Sequence, residues 1–180
     1  YSSFLLLTAA FLLFLVSRIE RDRRGTDTRY WTILSAGFAY LSLDELASLH
    51  EQWNRPFRAL LHTSPHAVTW IIAGAAGVLM VGIYFVPFLW RLPRADAVRF
   101  IVAGTIYVGS ALGEETVAAL LRKGSPEAVQ FEYPWQYLGL VTLEEAGEMI
   151  GVVFFIYAVC LYLYSIHGRI EVDFSGAVDP

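Results

Sequence analysis

Acidic side chains interrupt three long apolar stretches of this sequence. Each acidic group lies inside a run that is otherwise almost uncharged, so these are not loop residues that merely flank a hydrophobic segment. Inside a membrane, one such charge costs about 2.5 kcal/mol or more, and neighbouring like charges also repel one another. The eight acids are Asp44, Glu45, Glu51, Glu114, Glu115, Glu144, Glu145 and Glu148.

Three arrangements relieve that cost. The carboxylates can bind a divalent cation, some of them can be protonated and hydrogen-bonded, or nearby cations can pair with them. Arg122 and Lys123 are the cations closest to hand, and two cations cannot neutralise eight acids. We therefore expect a metal site, with a protonated polar network as its alternative.

The composition of the ligand set restricts the metal. Carboxylate oxygens with at most one imidazole suit Mg, Ca, Mn or Fe, and Zn also accepts them. Position 47 is Ala, so the Glu-x-x-His pattern of ferritin-like di-iron proteins is missing before His50. No nucleotide-binding or covalent haem motif is present. The expected ligands are Asp44, Glu51, Glu114, Glu115, Glu144, Glu145 and Glu148, with Glu45 and His50 as weaker candidates.

The three acidic groups fall at one distance from the ends of their segments. The first acid of each group lies nine residues from an aromatic or basic residue at the outer end, which is about 13 Å along a helix. Consecutive segments run in opposite directions, so this agreement predicts a common level for Asp44, Glu114 and Glu144. One tyrosine accompanies each group on the same helical face: Tyr40, Tyr107 and Tyr137.

The apolar stretches define the architecture that must position these acids. Of 180 residues, 56% are hydrophobic and 17% are charged, whereas a soluble domain is about a quarter charged. This excludes a disordered chain and a nucleic-acid binder, and the single Cys160 excludes an internal disulfide. Because a spanning helix needs about 20 apolar residues, we predict one all-α polytopic membrane domain over residues 1–180. The five predicted spans are 1–17, 30–51, 67–90, 100–121 and 135–165, with a tail at 166–180.

Basic residues predict the orientation of the bundle. The first loop carries five arginines and the third carries three, whereas the second and fourth loops carry two basic residues each. By the positive-inside rule, the N-terminus is outside and the tail is cytoplasmic, as expected for a bacterial inner (cytoplasmic) membrane protein. A signal peptide is the alternative reading of residues 1–17. It is disfavoured because the basic cluster follows the apolar run instead of preceding it.

Two further patterns concern helix packing. Gly109–Gly113 and Gly147–Gly151 have GxxxG spacing, and Ala73–Gly77 is a similar pair of small residues, so close helix contacts are expected there. Arg29 and Arg99 are each followed by an aromatic residue and, fifteen residues later, by an acidic doublet. This offset of 70 residues predicts a possible tandem repeat of two helical hairpins, with the first helix as an addition.

The sequence leaves three classes of function open. The first is a non-catalytic accessory subunit of a larger membrane complex, for example an energy-transducing one, because the loops are short and no soluble head is present. The second is a metal-dependent enzyme that hydrolyses or oxidises a lipid-like substrate. The third is a proton- or ion-coupled transporter with the buried acids as its relay. The expected partners are the lipid bilayer and other membrane subunits, and not nucleic acid.

Overall fold

Five helices make up the described part of the fold. A computed structural model describes residues 1–23, 25–47, 49, 69–122 and 134–167. The helices are 21, 20, 23, 29 and 34 residues long, so each reaches about 30 Å or more. The all-α prediction is confirmed. The helices are α1 (Ser2–Asp22), α2 (Thr28–Ala47), α3 (Thr69–Arg91), α4 (Arg94–Arg122) and α5 (Pro134–His167).

The helix ends differ from the predicted ones mainly where charges begin. The helix predicted at 1–17 continues through Asp22, and the one predicted from Phe100 begins at Arg94. A charged residue ends a run of apolar residues, but it does not end a helix. The long side chain of an arginine can extend from the helix to reach water. The predicted close of the second span, at Glu51, lies outside the described residues, as does most of the tail.

Apolar helices and an apolar exterior place this chain among membrane proteins. Within the described residues, α2 is too polar to count among the helices that are long and apolar enough to cross a membrane. Large apolar side chains nevertheless face outward all around the bundle, and Phe4, Leu79 and Trp90 are 71%, 64% and 84% exposed. A soluble protein rarely shows such a surface. The four helices that qualify contain Ser2–Asp22, Gly74–Arg91, Arg94–Gly113 and Val141–Ile166.

α1 and α2 form an antiparallel hairpin whose register is fixed by serine hydroxyls. The Ser35 hydroxyl donates to the Ala10 carbonyl oxygen at 2.8 Å. Seven residues further along α2, the Ser42 hydroxyl donates to the Ser3 carbonyl oxygen, also at 2.8 Å. Hydrogen bonds of this kind contribute about 0.6 kcal/mol each between membrane helices. They hold the two helices together along most of their length.

α4 and α5 approach each other through the predicted glycine pair of α5. A Cβ atom added at Gly151 would lie 2.7 Å from the backbone nitrogen of Tyr107 and 2.9 Å from its Cα. One added at Gly147 would lie 2.9 Å from the Ser110 Cβ. The absence of a side chain therefore lets the α5 backbone approach the α4 backbone at Gly151 and the Ser110 side chain at Gly147. The close contact predicted for Gly147–Gly151 is confirmed.

The same spacing in α4 has no such role in the described structure. A Cβ atom at Gly109 or Gly113 would meet nothing within 4 Å, and the same holds for Gly77 of α3. The predictions of close packing at these glycines are therefore wrong within the described part of the chain. Two glycines four residues apart create an opportunity for contact, and the rotation of the helix decides whether it is used.

Trp31 lies at the centre of one continuous core to which all five helices contribute. It is fully buried, and its ring contacts Phe88 of α3 with centroids 4.9 Å apart. It also contacts Phe100 of α4 at 5.8 Å and Tyr162 of α5 at 4.8 Å. Aromatic pairs at these separations add about 0.5–1.5 kcal/mol each beyond the area they bury. This tryptophan therefore joins α2 to three other helices.

The glycine contact yields a direct test. We expect Gly151→Ala to lower the free energy of unfolding by about 1–3 kcal/mol, because its methyl group meets backbone that cannot rotate away. Gly109→Ala is the matched control in α4 and should be neutral or slightly stabilising, since its methyl group enters open space. Equilibrium unfolding in mixed micelles measures both. Equal effects of the two substitutions would contradict the assigned contact.

Candidate functional site

The charged side chains that bond between helices lie at the two ends of the bundle. Arg91, the last residue of α3, donates from Nε and Nη2 to Asp27 Oδ1 at 2.9 and 2.5 Å, which joins α3 to the turn between α1 and α2. Arg23 Nη2 donates to the Ile166 carbonyl oxygen at 2.6 Å, which brings the C-terminal end of α5 to the same place. We call this the basic end. The helices alternate in direction, so the acids of α2 and α5 lie toward the opposite end, which we call the acidic end.

Ring contacts between α2 and α5 show how their acids are matched. Trp31 contacts Tyr162, and seven residues further along α2, Phe38 stacks on Phe155 with centroids 4.5 Å apart. Each step of seven along α2 is matched by a step of seven back along α5. One more step takes the antiparallel register to Glu45 and Glu148. Helix geometry thus brings an acid of α2 level with an acid of α5.

Tyr107 of α4 is the third contributor. It interacts electrostatically with the carboxyl groups of Glu148, Glu45 and Asp44, so polar groups from three helices share one neighbourhood. Its position is set by Gly151, which leaves room for the Tyr107 backbone against α5. A phenol among carboxylates can donate its proton to one of them. The site therefore combines hydroxyl and carboxyl groups from different helices.

α1 adds a residue that the sequence analysis overlooked. The Ser2 hydroxyl donates to Glu45 Oε1 at 2.6 Å, a charge-assisted geometry. The sequence made Glu45 only a weaker candidate, yet it is the acid that accepts this hydrogen bond from Ser2. Residues equally far from the turn of an antiparallel hairpin face each other. Counting outward from the turn after Asp22 would have placed Ser2 near the acids of α2.

The described acids differ in exposure. Asp44, Glu144 and Glu148 are half-buried, whereas Glu45 and Glu145 are exposed. Of the three predicted companion tyrosines, Tyr107 lies beside the acids, Tyr40 is 49% exposed, and the Tyr137 side chain lies outside the described part. The remaining candidate ligands cannot be placed: the side chains of Glu114 and Glu115 lie outside the described part, as do His50 and Glu51 entirely.

The backbone register of α4 and α5 also bears on the acids of α4. Gly151 lies against Tyr107, and Gly147 lies against Ser110. Continuing this antiparallel register by one turn brings Glu144 level with the backbone of Glu114. The two positions therefore share a level along the helix pair.

Among the side chains that the structure describes, no three His, Cys, Asp or Glu residues come together as ligands of a metal ion. Of the described acids, Glu45 accepts a hydrogen bond from the Ser2 hydroxyl of α1, and Tyr107 of α4 lies within electrostatic range of Asp44, Glu45 and Glu148. Hydroxyl groups are weak ligands but good donors to carboxylates.

Fold and site together define a class: a polytopic helical membrane protein whose helices bring carboxyl and hydroxyl groups to one end of the bundle. Residues 1–163 match the family described as Domain of unknown function (DUF8692), and the chain belongs to that family. No curated protein and no solved structure matches it.

Paired cysteines test the convergence of α2 and α5. In a Cys160→Ser background, we expect Glu45→Cys with Glu148→Cys to be joined by a short bifunctional maleimide, because the helical register brings the two positions level. Glu45→Cys with Glu145→Cys is the control, since Glu145 lies on the exposed face of α5. Cross-linked protein is scored by mass after proteolysis between the helices. Cross-linking of the control pair alone would refute the register.

Proposed function

We propose that this chain is a non-catalytic accessory subunit of a larger membrane complex, for example an energy-transducing one. The observation that supports this best is the attachment of α3. Phe85, Phe88 and Leu92, at and just beyond its C-terminal end, are buried against the bundle, whereas Val78, Leu79 and Met80 are exposed. Gly77 and Gly82 leave room for another backbone on this helix. Helix surfaces with small residues favour close packing with another helix.

We further propose that α2 is a fifth span. It follows α1 along most of its length through the bonds made by Ser35 and Ser42, so it must cross the same depth as α1. Its polar side chains are tolerable there because α1 and α5 cover part of its surface. The excess of arginine in the first and third loops then supports an outside N-terminus, a cytoplasmic tail and a bacterial inner membrane.

The tandem repeat remains a proposal with partial support. α2 and α4 run in the same direction. Trp31 contacts Phe100, which lies one residue before the position that the offset of 70 would pair with it. The packing of the two proposed hairpins differs, since α4 and α5 pack closely while the contacts between the described residues of α2 and α3 lie at the basic end. Arg99 pairs with buried Asp96 at 2.7 Å, whereas Arg29 bonds a tyrosine hydroxyl. If the halves share an origin, their contacts have diverged.

We propose that the acids at the acidic end form a hydrogen-bonded network in which some carboxyl groups are protonated. The support is the hydrogen bond from the Ser2 hydroxyl to Glu45 and the electrostatic interaction of Tyr107 with Asp44, Glu45 and Glu148. A divalent cation, Mg, Ca, Mn, Fe or Zn, is the second candidate, supported by the shared level of Glu114 and Glu144. Carboxylates that bound such an ion would need no protons to coexist.

The accessory role is tested by purification in a mild detergent. We expect the chain to retain defined membrane partners, and Gly82→Leu on α3 to release them, because the larger side chain blocks close approach. Gly139→Leu on α5, at an equally open glycine, is the control and should leave the partners bound. A partner-free chain that turned over a lipid-like substrate would favour the enzyme instead. Proton or ion flux in liposomes made from the chain alone would favour the transporter.

Thermal melting distinguishes the network from the cation. We expect Glu148→Gln to change the melting temperature little, because glutamine keeps the shape and a hydrogen-bond donor, and we expect a chelator to have no effect. Glu145→Gln on the exposed face serves as the control. A bound cation predicts a different pattern: a chelator would destabilise the wild type, and Glu148→Gln would both lower the melting temperature and weaken the response to chelator.

A further inference from the structure

At the basic end, two arginines from different helices converge on one tyrosine. Arg29 Nη2 donates to the Tyr30 hydroxyl at 3.0 Å, and its guanidinium carbon lies 4.8 Å from the ring centre. The guanidinium carbon of Arg91 lies 5.1 Å from the same ring centre. Phe88 stacks on the ring with centroids 5.2 Å apart, and Tyr30 itself is only 3% exposed. A rigid, buried ring therefore holds both cations in place.

The charges at this ring do not balance. Asp27 binds Arg91, while Arg29 has no carboxylate partner among the described residues and bonds only a neutral phenol. Two guanidinium groups and one carboxylate leave one positive charge. The Arg91 and Asp27 side chains are 43% and 20% exposed, so an incoming anion can reach them. Guanidinium groups at one place suit phosphate, which accepts a hydrogen bond from each.

The surroundings of this charge are those of a membrane surface. Trp90, next to Arg91, is 84% exposed, and tryptophan is enriched at the level of lipid headgroups. One turn along α2 from Arg29, Ile33 is 45% exposed, and on α3 Tyr84 is 42% exposed with its ring 5.3 Å from Tyr30. Exposed apolar side chains therefore lead away from the cations along both helices, where acyl chains could lie.

We infer that Arg29 and Arg91, arranged around Tyr30, bind the phosphate of an anionic diacyl phospholipid whose chains lie between α2 and α3. A lipid is favoured over a soluble phosphate because the positive charge and the apolar side chains are continuous. Basic groups between membrane helices are a recurrent way of recognising anionic headgroups. The inference requires only that the helices lie in a membrane, and it is independent of the proposed accessory role.

Native mass spectrometry of the full chain in detergent tests the site. The probes are phosphatidylglycerol, phosphatidylcholine with identical acyl chains, and glycerol phosphate, which carries the headgroup chemistry without the chains. We expect one phosphatidylglycerol to bind about tenfold more tightly than phosphatidylcholine, because choline brings a cation to the arginines. Glycerol phosphate should not displace it at equal concentration.

Arg29→Gln should lower the affinity for phosphatidylglycerol by about tenfold or more, since it removes a charge-assisted hydrogen bond. The matched control is Arg21→Gln, an exposed arginine of α1 at the same end, whose effect should not exceed about fivefold. Melting temperatures of both variants confirm that they are folded. Equal affinity for the two lipids, equal effects of the two substitutions, or displacement by glycerol phosphate would each overturn the lipid site.

Discussion

The position of Trp31 constrains most of what surrounds it. Its ring is enclosed by Phe88, Phe100 and Tyr162, one from each of three other helices, so none of these helices can rotate without opening the core. The contact with Tyr162 also fixes the register of α2 against α5, which Phe38 and Phe155 repeat two turns away. A site almost 20 Å further along α2 is thereby set by an aromatic contact that is not part of it.

The two polar ends rely on different partners. At the basic end, Arg91 pairs with Asp27 in the turn between α1 and α2, so this pair joins adjoining helix ends. Arg99 pairs with Asp96, three residues earlier in the first turn of α4. At the acidic end, Glu45 accepts a hydrogen bond from Ser2 of α1, and Tyr107 of α4 interacts electrostatically with Asp44, Glu45 and Glu148. Ion pairs at a membrane surface can exchange with water, whereas acids further inside must find partners within the protein. The acidic end is consequently the part of the bundle whose chemistry depends most on tertiary structure.

Sequence reasoning succeeds here where the cause is local. The order of the described helices follows from runs of apolar residues. It fails where rotation about the helix axis decides. Gly147–Gly151 and Gly109–Gly113 have the same spacing, yet in the described structure only the first pair packs against another helix, Gly151 against the Tyr107 backbone and Gly147 against the Ser110 side chain. Counting outward from the turn places Ser2 level with the acids of α2, but the rotation of α1 decides whether its hydroxyl reaches Glu45.

The loose attachment of α3 has a physical origin in the membrane environment. In water, its exposed apolar side chains would be driven onto the bundle, but lipid tails are as apolar as those side chains and provide no such force. Among the described side chains, α3 is held at the basic end by the Asp27–Arg91 pair, by the stacking of Phe88 on Tyr30 and by the burial of Phe85 and Leu92. Nearer its N-terminus, the described side chains of Val78, Leu79 and Met80 are exposed. In the accessory role that we propose, this face of α3 packs against a partner helix, because small and apolar residues allow close approach without weakening the core at the basic end.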